Sequence, residues 1–352
     1  MNILGFNADR GGCGWYRIRQ PLNAIKGKCD TRLIEGTESN EKVVELVEGA
    51  GVVVCRPLTN LEAMRLMKSE KKRIVLDFDD NYFELNPYSS LYKIWGQSEV
   101  QDSTGKWVWL NGVDGFDMFR NRRMLVDIEE RISLADVITV TTPILQEELQ
   151  KVHKDVRVLP NYFNPQLYPD VELKNKSKGS EFRIAWAGGN NHDMDLIEVL
   201  ADIEKLVQED KDVVFYVIGN DYRRLLKKHD RIRFVPWIEF QAHPFQLKSL
   251  DIDVAIIPLK DDRFNSFKSE VKFTEWSALG IPSIVKNVKP YSEVIETSTC
   301  IPFKTNSEML SGIKALKDKN KANLIAKNAK SWAWSERNVD KFVNYIYDVY
   351  TL

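Results

Sequence analysis

Residues 257–282 read "IPLKDDRFNSFKSEVKFTEWSALGIP". An apolar run closes at Leu259, a polar loop follows, and a short helical stretch ends at Gly280 before Pro282 opens the next apolar run. Glycine after a helix and proline just beyond it are ordinary stop signals. A strand, a crossover helix and another strand in this order make a unit of a parallel sheet. A surface helix could carry Lys268, Ser269, Lys272 and Glu275 for solubility alone. The order of parts suggests a narrower use: a helix N-terminus with cations, then a carboxylate further in.

The same grammar extends in both directions. The first half offers the candidate strands "NILGFNA", "TRLIE", "GVVVCRP", "RIVLDFDD", "DVITVTT" and "VRVLPN". The second offers "FRIAWAGG", "VVFYVIG", "IRFVP", "DVAIIPL", "PSIVK" and "TCIPF". Val and Ile fill these runs without strict alternation, as in strands covered on both faces. Stretches such as "DMDLIEVLADIEKLVQED" repeat apolar residues at helical spacing. The pattern predicts an α/β chain of two Rossmann-like domains, with parallel sheets facing across a cleft. Residues 169–182, polar and aperiodic, are the expected linker. The domains are then 1–168, 169–330, and a C-terminal helix over 331–352 that crosses back to the first domain. Residues 86–116 break the alternation with Gly, Ser and aromatics, as either a binding loop or a decorated surface loop.

Four places concentrate chemistry. After "ILGFNA", Gly11, Gly12 and Gly14 allow close backbone approach, and the following helix brings Arg17 and Arg19, donors suited to phosphate or carboxylate. The dinucleotide fingerprint fails here, because Arg17 stands where its third glycine belongs. "IVLDFDDNYFEL" ends a strand with Asp77, Asp79 and Asp80, where open α/β sheets bind ligands. These carboxylates could serve a metal, a proton or a hydroxyl, or simply cap a turn. In "RIAWAGGNNHDMDL", Gly188 and Gly189 repeat the strand–glycine–helix order, Asn191 or Asp193 can cap the helix, and His192 stands in the loop.

The opening stretch is the fourth. A helix starting near Lys268–Ser269 would present free N–H groups, with Lys268 and Lys272 adding full charges, a setting for a diphosphate. Glu275 can accept two hydrogen bonds from a vicinal diol such as that of ribose. A diphosphate beside a diol describes a nucleotide-sugar.

These residues carry a resemblance. "NSFKSEVKFTEWSALGIPSIVKNVKPYSEVI" resembles the donor-site segment of GT-B glycosyltransferases of the family 4 (group 1) type, with Glu275, Gly280 and Pro282 in its Glu-x-x-x-x-Gly-x-Pro core. "RIAWAGGNNHDMDL" resembles the opening of their second domain. "GCGWYRIRQPL" is similar to the first-domain glycine loop of a subgroup that also carries a strand-end Asp cluster like "DFDD". One departure is Phe267, where many members carry a second Glu.

The resemblance implies a retaining transfer of a sugar from a nucleoside-diphosphate sugar, a UDP-sugar such as UDP-glucose, to an acceptor hydroxyl. It places nucleotide-sugar contacts at Gly12, Gly14, Gly188, Gly189, His192, Lys268, Ser269, Lys272 and Glu275. Asp79, Asp80, Arg17 and Lys268 are the catalytic candidates, and Tyr16, Tyr92, Trp107 and Trp109 the acceptor contacts. No cofactor or metal is required; a divalent ion at the Asp cluster is the alternative.

Composition sets limits. Lys+Arg (50) and Asp+Glu (51) nearly cancel over 352 residues, so no global field recruits nucleic acid or an anionic membrane. The four cysteines show no metal spacing, no apolar run spans a bilayer, and the N-terminus lacks a leader pattern, which together predict a cytoplasmic protein. Two other functions stay open: a Rossmann-type oxidoreductase or epimerase, and a non-catalytic nucleotide-sugar or carbohydrate-binding protein. The acceptor ranges over a cell-envelope glycan, a lipid-linked intermediate, a small metabolite, a protein or a hydroxylated DNA base. "FRNRRM", with Arg120, Arg122 and Arg123, could line a phosphate groove, although such runs are commonly solvated helix faces.

Overall fold

The computed structural model describes residues 1–6, 11–169, 181–189 and 192–352. Within it the chain forms two compact units. The first comprises Met1–Asn161, Phe267–Ser269 and Val339–Leu352; the second comprises Tyr162–Ser266 and Glu270–Asn338. The strands, in chain order, are β1 (Asn2–Phe6), β2 (Asp30–Ile34), β3 (Val52–Cys55), β4 (Arg73–Phe78), β5 (Val100–Gln101), β6 (Trp107–Trp109), β7 (Val137–Val140) and β8 (Val156–Val158). Those of the second unit are β9 (Phe182–Gly188), β10 (Val213–Gly219), β11 (Ile232–Pro236), β12 (Val254–Ile257), β13 (Ser283–Lys286) and β14 (Ile301–Phe303).

In the first unit six parallel strands run in the order β2-β1-β3-β4-β7-β8. Every residue of β3 and β7 is buried, which is why these runs read as continuous Val and Ile. Side-chain caps start the crossover helices: Ser39 for Asn40–Glu48, Asn60 for Leu61–Ser69, Asp117 for Met118–Leu134 and Thr142 for Pro143–Leu149. The strand order reverses between β1 and β3, so their carboxyl ends diverge and leave a crevice there.

The terminal helix Val343–Thr351 packs Ile346, Val349 and Tyr350 inward on this unit. Arg157 Nη1 donates to the Val349 carbonyl at 3.0 Å, and the Tyr345 hydroxyl donates to the Val158 carbonyl.

Residues 86–116 are more ordered than an open loop. They hold a helical turn, Tyr92–Trp95, and the antiparallel hairpin β5-β6. Tyr92, Trp109 and Phe116 pack ring on ring, with centroids 5.6–6.1 Å apart. Asn121 Nδ2 donates to the carbonyls of Lys93 (3.1 Å) and Gly96 (3.0 Å), which fastens the segment to the helix Met118–Leu134.

The second unit repeats the plan in the order β11-β10-β9-β12-β13-β14, again parallel throughout, and reverses between β9 and β12. Gly219, at φ +102°, closes β10 where a Cβ would sit 2.5 Å from the Gly188 carbonyl oxygen, so only glycine fits. Thr305 and Glu308 form a reciprocal cap on the helix Asn306–Ala315.

The second unit begins at Tyr162, ahead of the expected 168/169 boundary, because Phe163 packs edge-on against Tyr168 (5.0 Å) and Trp334 (5.3 Å). Trp332 stacks near Phe273 at 5.3 Å, and Trp334 Nε1 donates to the Ala278 carbonyl. Residues 331–338 therefore stay with the second unit, and only Val339–Leu352 join the first. Most of the expected linker, residues 170–180, lies outside the described residues, as does Asn191. Among the described residues no helix is long and apolar enough to cross a membrane.

One buried base tests the second core. His243 is 1% exposed, and both ring nitrogens lack a hydrogen-bond partner among the described residues. Burial holds its pKa down at about 4, against an ordinary 6.5. The unfolded chain therefore takes up a proton first as pH falls. Stability contributed by neutral His243 is full above pH 6.5 and is lost as pH falls from there toward 4, by about 3 kcal/mol. In His243→Phe, which keeps the stacking against Trp237 (4.6 Å), urea unfolding should lose that part of its slope between pH 6.5 and 4.

Candidate functional site

Both strand-order reversals gather polar side chains. In the first unit, Gly12 and Gly14 lie within a first helical turn, Gly12–Gly14, instead of in an open glycine loop. The run continues through a π-helical turn, Trp15–Arg19, into Gln20–Ala24. Residues 7–10, which link it to β1, lie outside the described set.

The π-helical turn aims Arg17 inward, where it is 1% exposed. Its guanidinium grips Asp77 in fork geometry (Nε–Oδ1 3.0 Å, Nη2–Oδ2 2.7 Å), and Nη1 reaches the Leu159 carbonyl and Asn161 Oδ1. Thr139 Oγ1 donates to Asp77 Oδ2 at 2.6 Å. These bonds correct the expectation that Arg17 is available to a ligand: its fork is occupied inside the first core. Asp77, 0% exposed, belongs to the same core and leaves Asp79 and Asp80 as the carboxylates beyond the strand end.

Those two sit in opposite electrostatic settings. Arg56, at the end of β3, donates through Nη2 to Asp79 Oδ1 at 2.8 Å. Burial opposes the Asp79 carboxylate, but the Arg56 charge, hydrogen bonds from Cys13 and Arg56, and the Arg17 charge outweigh it and hold its pKa at about 2. Asp80 is raised, first by burial and then by the Asp79 charge, with Lys268 only partly offsetting them at 3.5 Å. Arg17, Arg56 and Lys268 thus face Asp77, Asp79 and Asp80. Arg56 escaped the sequence reading, although "VVVCRP" places a cation at a strand's carboxyl end.

The 267–269 segment departs from expectation. The helix starts at Val271, after Glu270, and not at Lys268–Ser269. Phe267 is 1% exposed in the first unit's core, and its carbonyl accepts from Thr142 Oγ1 at 3.3 Å. Asn161 Nδ2 donates to Ser269 Oγ at 2.8 Å, while Lys268 faces Asp80. An apolar residue at 267 therefore has a packing reason.

In the second unit Gly188 ends β9 and Gly189 follows it, and a Cβ at Gly188 would meet the Trp186 ring at 2.4 Å. Tyr222 donates to the Gly189 carbonyl at 3.3 Å. His192 Nδ1 lies 2.7 Å from Asp195 Oδ2. Asp195 Oδ1 accepts from the Lys260 backbone (2.9 Å) and from Asn265 Nδ2 (3.0 Å), tying the β9 helix to the loop after β12. Burial works against this carboxylate, but His192 and Lys272 keep its pKa low.

Lys272 Nζ stands 5.4 Å over the Trp186 ring, and Glu275 is 8% exposed in a helix buried from Phe273 to Ala278. Gly280, at φ +68°, and the Ile281 N–H on the Trp276 carbonyl close that helix. Glu270 pairs with Arg337 at 2.6 Å.

The aromatic candidates divide. Tyr16 (5%) and Tyr92 (7%) are packed inside, and Trp109 donates to the Pro87 carbonyl, so all three support the unit from within. Trp107, 46% exposed, is the one of the four open to solvent. Among the described residues no three His, Cys, Asp or Glu side chains are grouped as a metal site.

No family model and no curated protein matches this chain. Solved structures match it in fold. Sucrose-phosphate synthase from Thermosynechococcus elongatus is 15% identical over 99% of this chain and 98% of its own, with a TM-score of 0.65. Anabaena HepE, solved with UDP and glucose, is 13% identical over 99% and 98%, with a TM-score of 0.63. A putative UDP-N-acetylglucosamine 2-epimerase from Listeria monocytogenes is 14% identical over 98% and 94%, with a TM-score of 0.54. The chain has the GT-B fold of glycosyltransferases, two Rossmann-like units in one polypeptide.

Removing the Arg17 guanidinium takes both fork hydrogen bonds from the buried Asp77 and leaves it Arg56, 3.6 Å away, as its cation. Arg17→Met should cost about 3–5 kcal/mol in urea unfolding. Arg17→Met with Asp77→Leu should recover part of that loss, because no charge is then left unpaired. A single variant as stable as the parent would show that the pair does not hold the first unit.

Proposed function

We propose that this protein is a retaining glycosyltransferase of the family 4 type, moving a sugar from a UDP-sugar, with UDP-glucose the first candidate, to an acceptor hydroxyl. Glu275 carries the reading: a carboxylate 8% exposed, in the helix after the switch-point strand β12. Its position there, with Lys272 one turn before it in the same helix, suits a ribose diol, whose two hydroxyls can donate to a carboxylate. Lys272 and the backbone around Gly188 and Gly189 are the proposed diphosphate contacts, and His192, oriented by Asp195, faces the sugar. Lys268 and Ser269 remain candidates for the leaving phosphate.

Chemically, the bond from the anomeric carbon to the phosphate oxygen breaks, and the bond to the acceptor oxygen forms on the same face. The acceptor proton goes to the departing phosphate. Asp79, kept ionised by Arg56, is suited to accept a hydrogen bond from the acceptor hydroxyl and orient it. Asp80, raised, is suited to the transferred sugar. Lys272 and backbone donors of the second unit stabilise the developing diphosphate charge without a metal ion. Acceptor binding falls to the first unit, with Trp107 as its exposed aromatic, and donor binding to the second. Cysteines 13, 29, 55 and 300, all unpaired, fit a cytoplasmic setting.

The fold is shared with an epimerase, so the test separates the reactions. Wild type incubated with UDP-glucose and a panel of glycans, lipid-linked sugars and hydroxymethylated DNA should release UDP with one acceptor class. Conversion of the sugar without UDP release would make it an epimerase, and binding without turnover a carrier. Glu275→Ala should weaken UDP binding by about 2–4 kcal/mol in calorimetry. Asp79→Asn should leave UDP affinity within about twofold while transfer falls by at least about a hundredfold, a few kcal/mol of transition-state stabilisation. The reverse pattern would place Asp79 on the donor side.

A further inference from the structure

Parallel strands need a crossover, and a helix normally supplies it. In the second unit β9 reaches β10 through the 17-residue helix Asp193–Glu209, and β12 reaches β13 through Val271–Ala278. The link from β10 to β11 has only a three-residue 3-10 turn, Arg223–Leu225. Because β11 is also an edge strand, the missing helix leaves a groove of about 750 Å³ bounded by Ile232 and Phe234. That is the size of a small-molecule site.

Charge fills what the helix does not. Residues 221–234, "DYRRLLKKHDRIRF", hold six Lys and Arg against two Asp, in a chain whose overall charge is −1. Two arginines of the walls, Arg223 and Arg233, are committed to partners, and so is Arg231 beside them. Arg223 pairs with Asp221 at 2.7 Å and lies over the Phe234 ring; Arg233 is gripped by Glu181 and by Tyr216 (2.9 Å); Arg231 donates to the carbonyls of Asp210 and Val213. The Lys227 backbone is fixed on Glu204 Oε1 at 2.8 Å. Arg224, Lys227 and Lys228 also line the groove, are exposed, and make no ion pair among the described residues. Asp230 is the acidic lining residue outside those pairs.

We propose that this groove binds a phosphate-bearing polyanion, at a site separate from the β9–β12 crevice. Three like charges held within one short loop repel each other, and an anion with several phosphate oxygens relieves that repulsion while matching the fork of Arg224. The volume suits a phosphorylated small molecule or two to three phosphates of a longer chain. This inference does not depend on the donor reading.

The test uses the whole chain and inorganic tripolyphosphate as probe, with sulfate for comparison. At low salt, calorimetry should give at least about tenfold tighter binding of tripolyphosphate than of sulfate, and the difference should shrink as salt rises. The triple variant Arg224→Gln, Lys227→Gln, Lys228→Gln should weaken tripolyphosphate by about tenfold or more with an unfolding midpoint no lower than the parent's, since all three positions are exposed and their repulsion is removed. Arg224→Lys alone should weaken tripolyphosphate less than the triple variant does, since it keeps the charge and loses only the fork. Equal affinity in wild type and triple variant, or no preference over sulfate, overturns the proposal. Labelled single-stranded DNA and phosphatidylglycerol vesicles identify the source: binding of either that the triple variant loses names that one. Capture of neither, with tripolyphosphate still bound, points to a free phosphorylated ligand.

Discussion

The first unit depends on a guanidinium that never meets solvent. Arg17 draws together three distant parts of the chain: the helix after β1, Asp77 on β4, and the Leu159–Asn161 exit from β8. Burying two charges costs several kcal/mol per ion before their attraction repays it, so such a pair survives only with nearly every donor and acceptor used. Here the fork is bidentate, Thr139 takes a further Asp77 lone pair, and two chain-exit oxygens take the remaining guanidinium donors. The geometry is specific because a lysine could not fill it.

That pair also sets the electrostatics around it. With the Asp77 fork filled by Arg17, Arg56 spans Asp77 at 3.6 Å and Asp79 at 2.8 Å, and Lys268 pairs with Asp80 at 3.5 Å. Asp79 stays ionised to about pH 2 while Asp80 is raised, although the two are neighbours in sequence. Two adjacent carboxylates with opposite shifts can divide labour, one as a fixed acceptor and one closer to its proton. Both are buried, and the division arises from the Arg56 charge and the Cys13 hydrogen bond on Asp79 against the Asp79 charge on Asp80, which the order of residues in "DFDD" does not reveal.

The parallel strands were legible because burial on both faces forces apolar runs that need no partner to recognise. Glycine and proline marked the end of the helix Val271–Ala278 correctly for the same local reason. Long-range partners were not legible. Arg17 looks like an anion-binding side chain in "GWYRIRQPL", and only the fold reveals Asp77, 60 positions on, as its anion. Tyr92 and Trp109 read as ligand contacts until their rings are seen stacked on Phe116. Lys268 and Ser269 read as a helix start because nothing local shows that Phe267 belongs to another core.

Glu275 differs from these cases. Its neighbours Phe273 and Trp276 are buried by apolar packing, and the helix cannot turn without exposing them. The carboxylate is therefore carried inward by the same rotation that buries the core face, and its low exposure is a consequence of the helix's apolar stripe. A residue placed by packing in this way keeps its position whether or not a ligand is present. The loop Lys260–Phe264, ahead of the helix, is fixed in turn by Asp195 through the Lys260 N–H and through Asn265, which itself donates to the Lys260 carbonyl. The acidic residue on the β9 helix and the buried glutamate thus act on the same β12 crossover from its two ends, one holding the loop and the other presenting the acceptor oxygens.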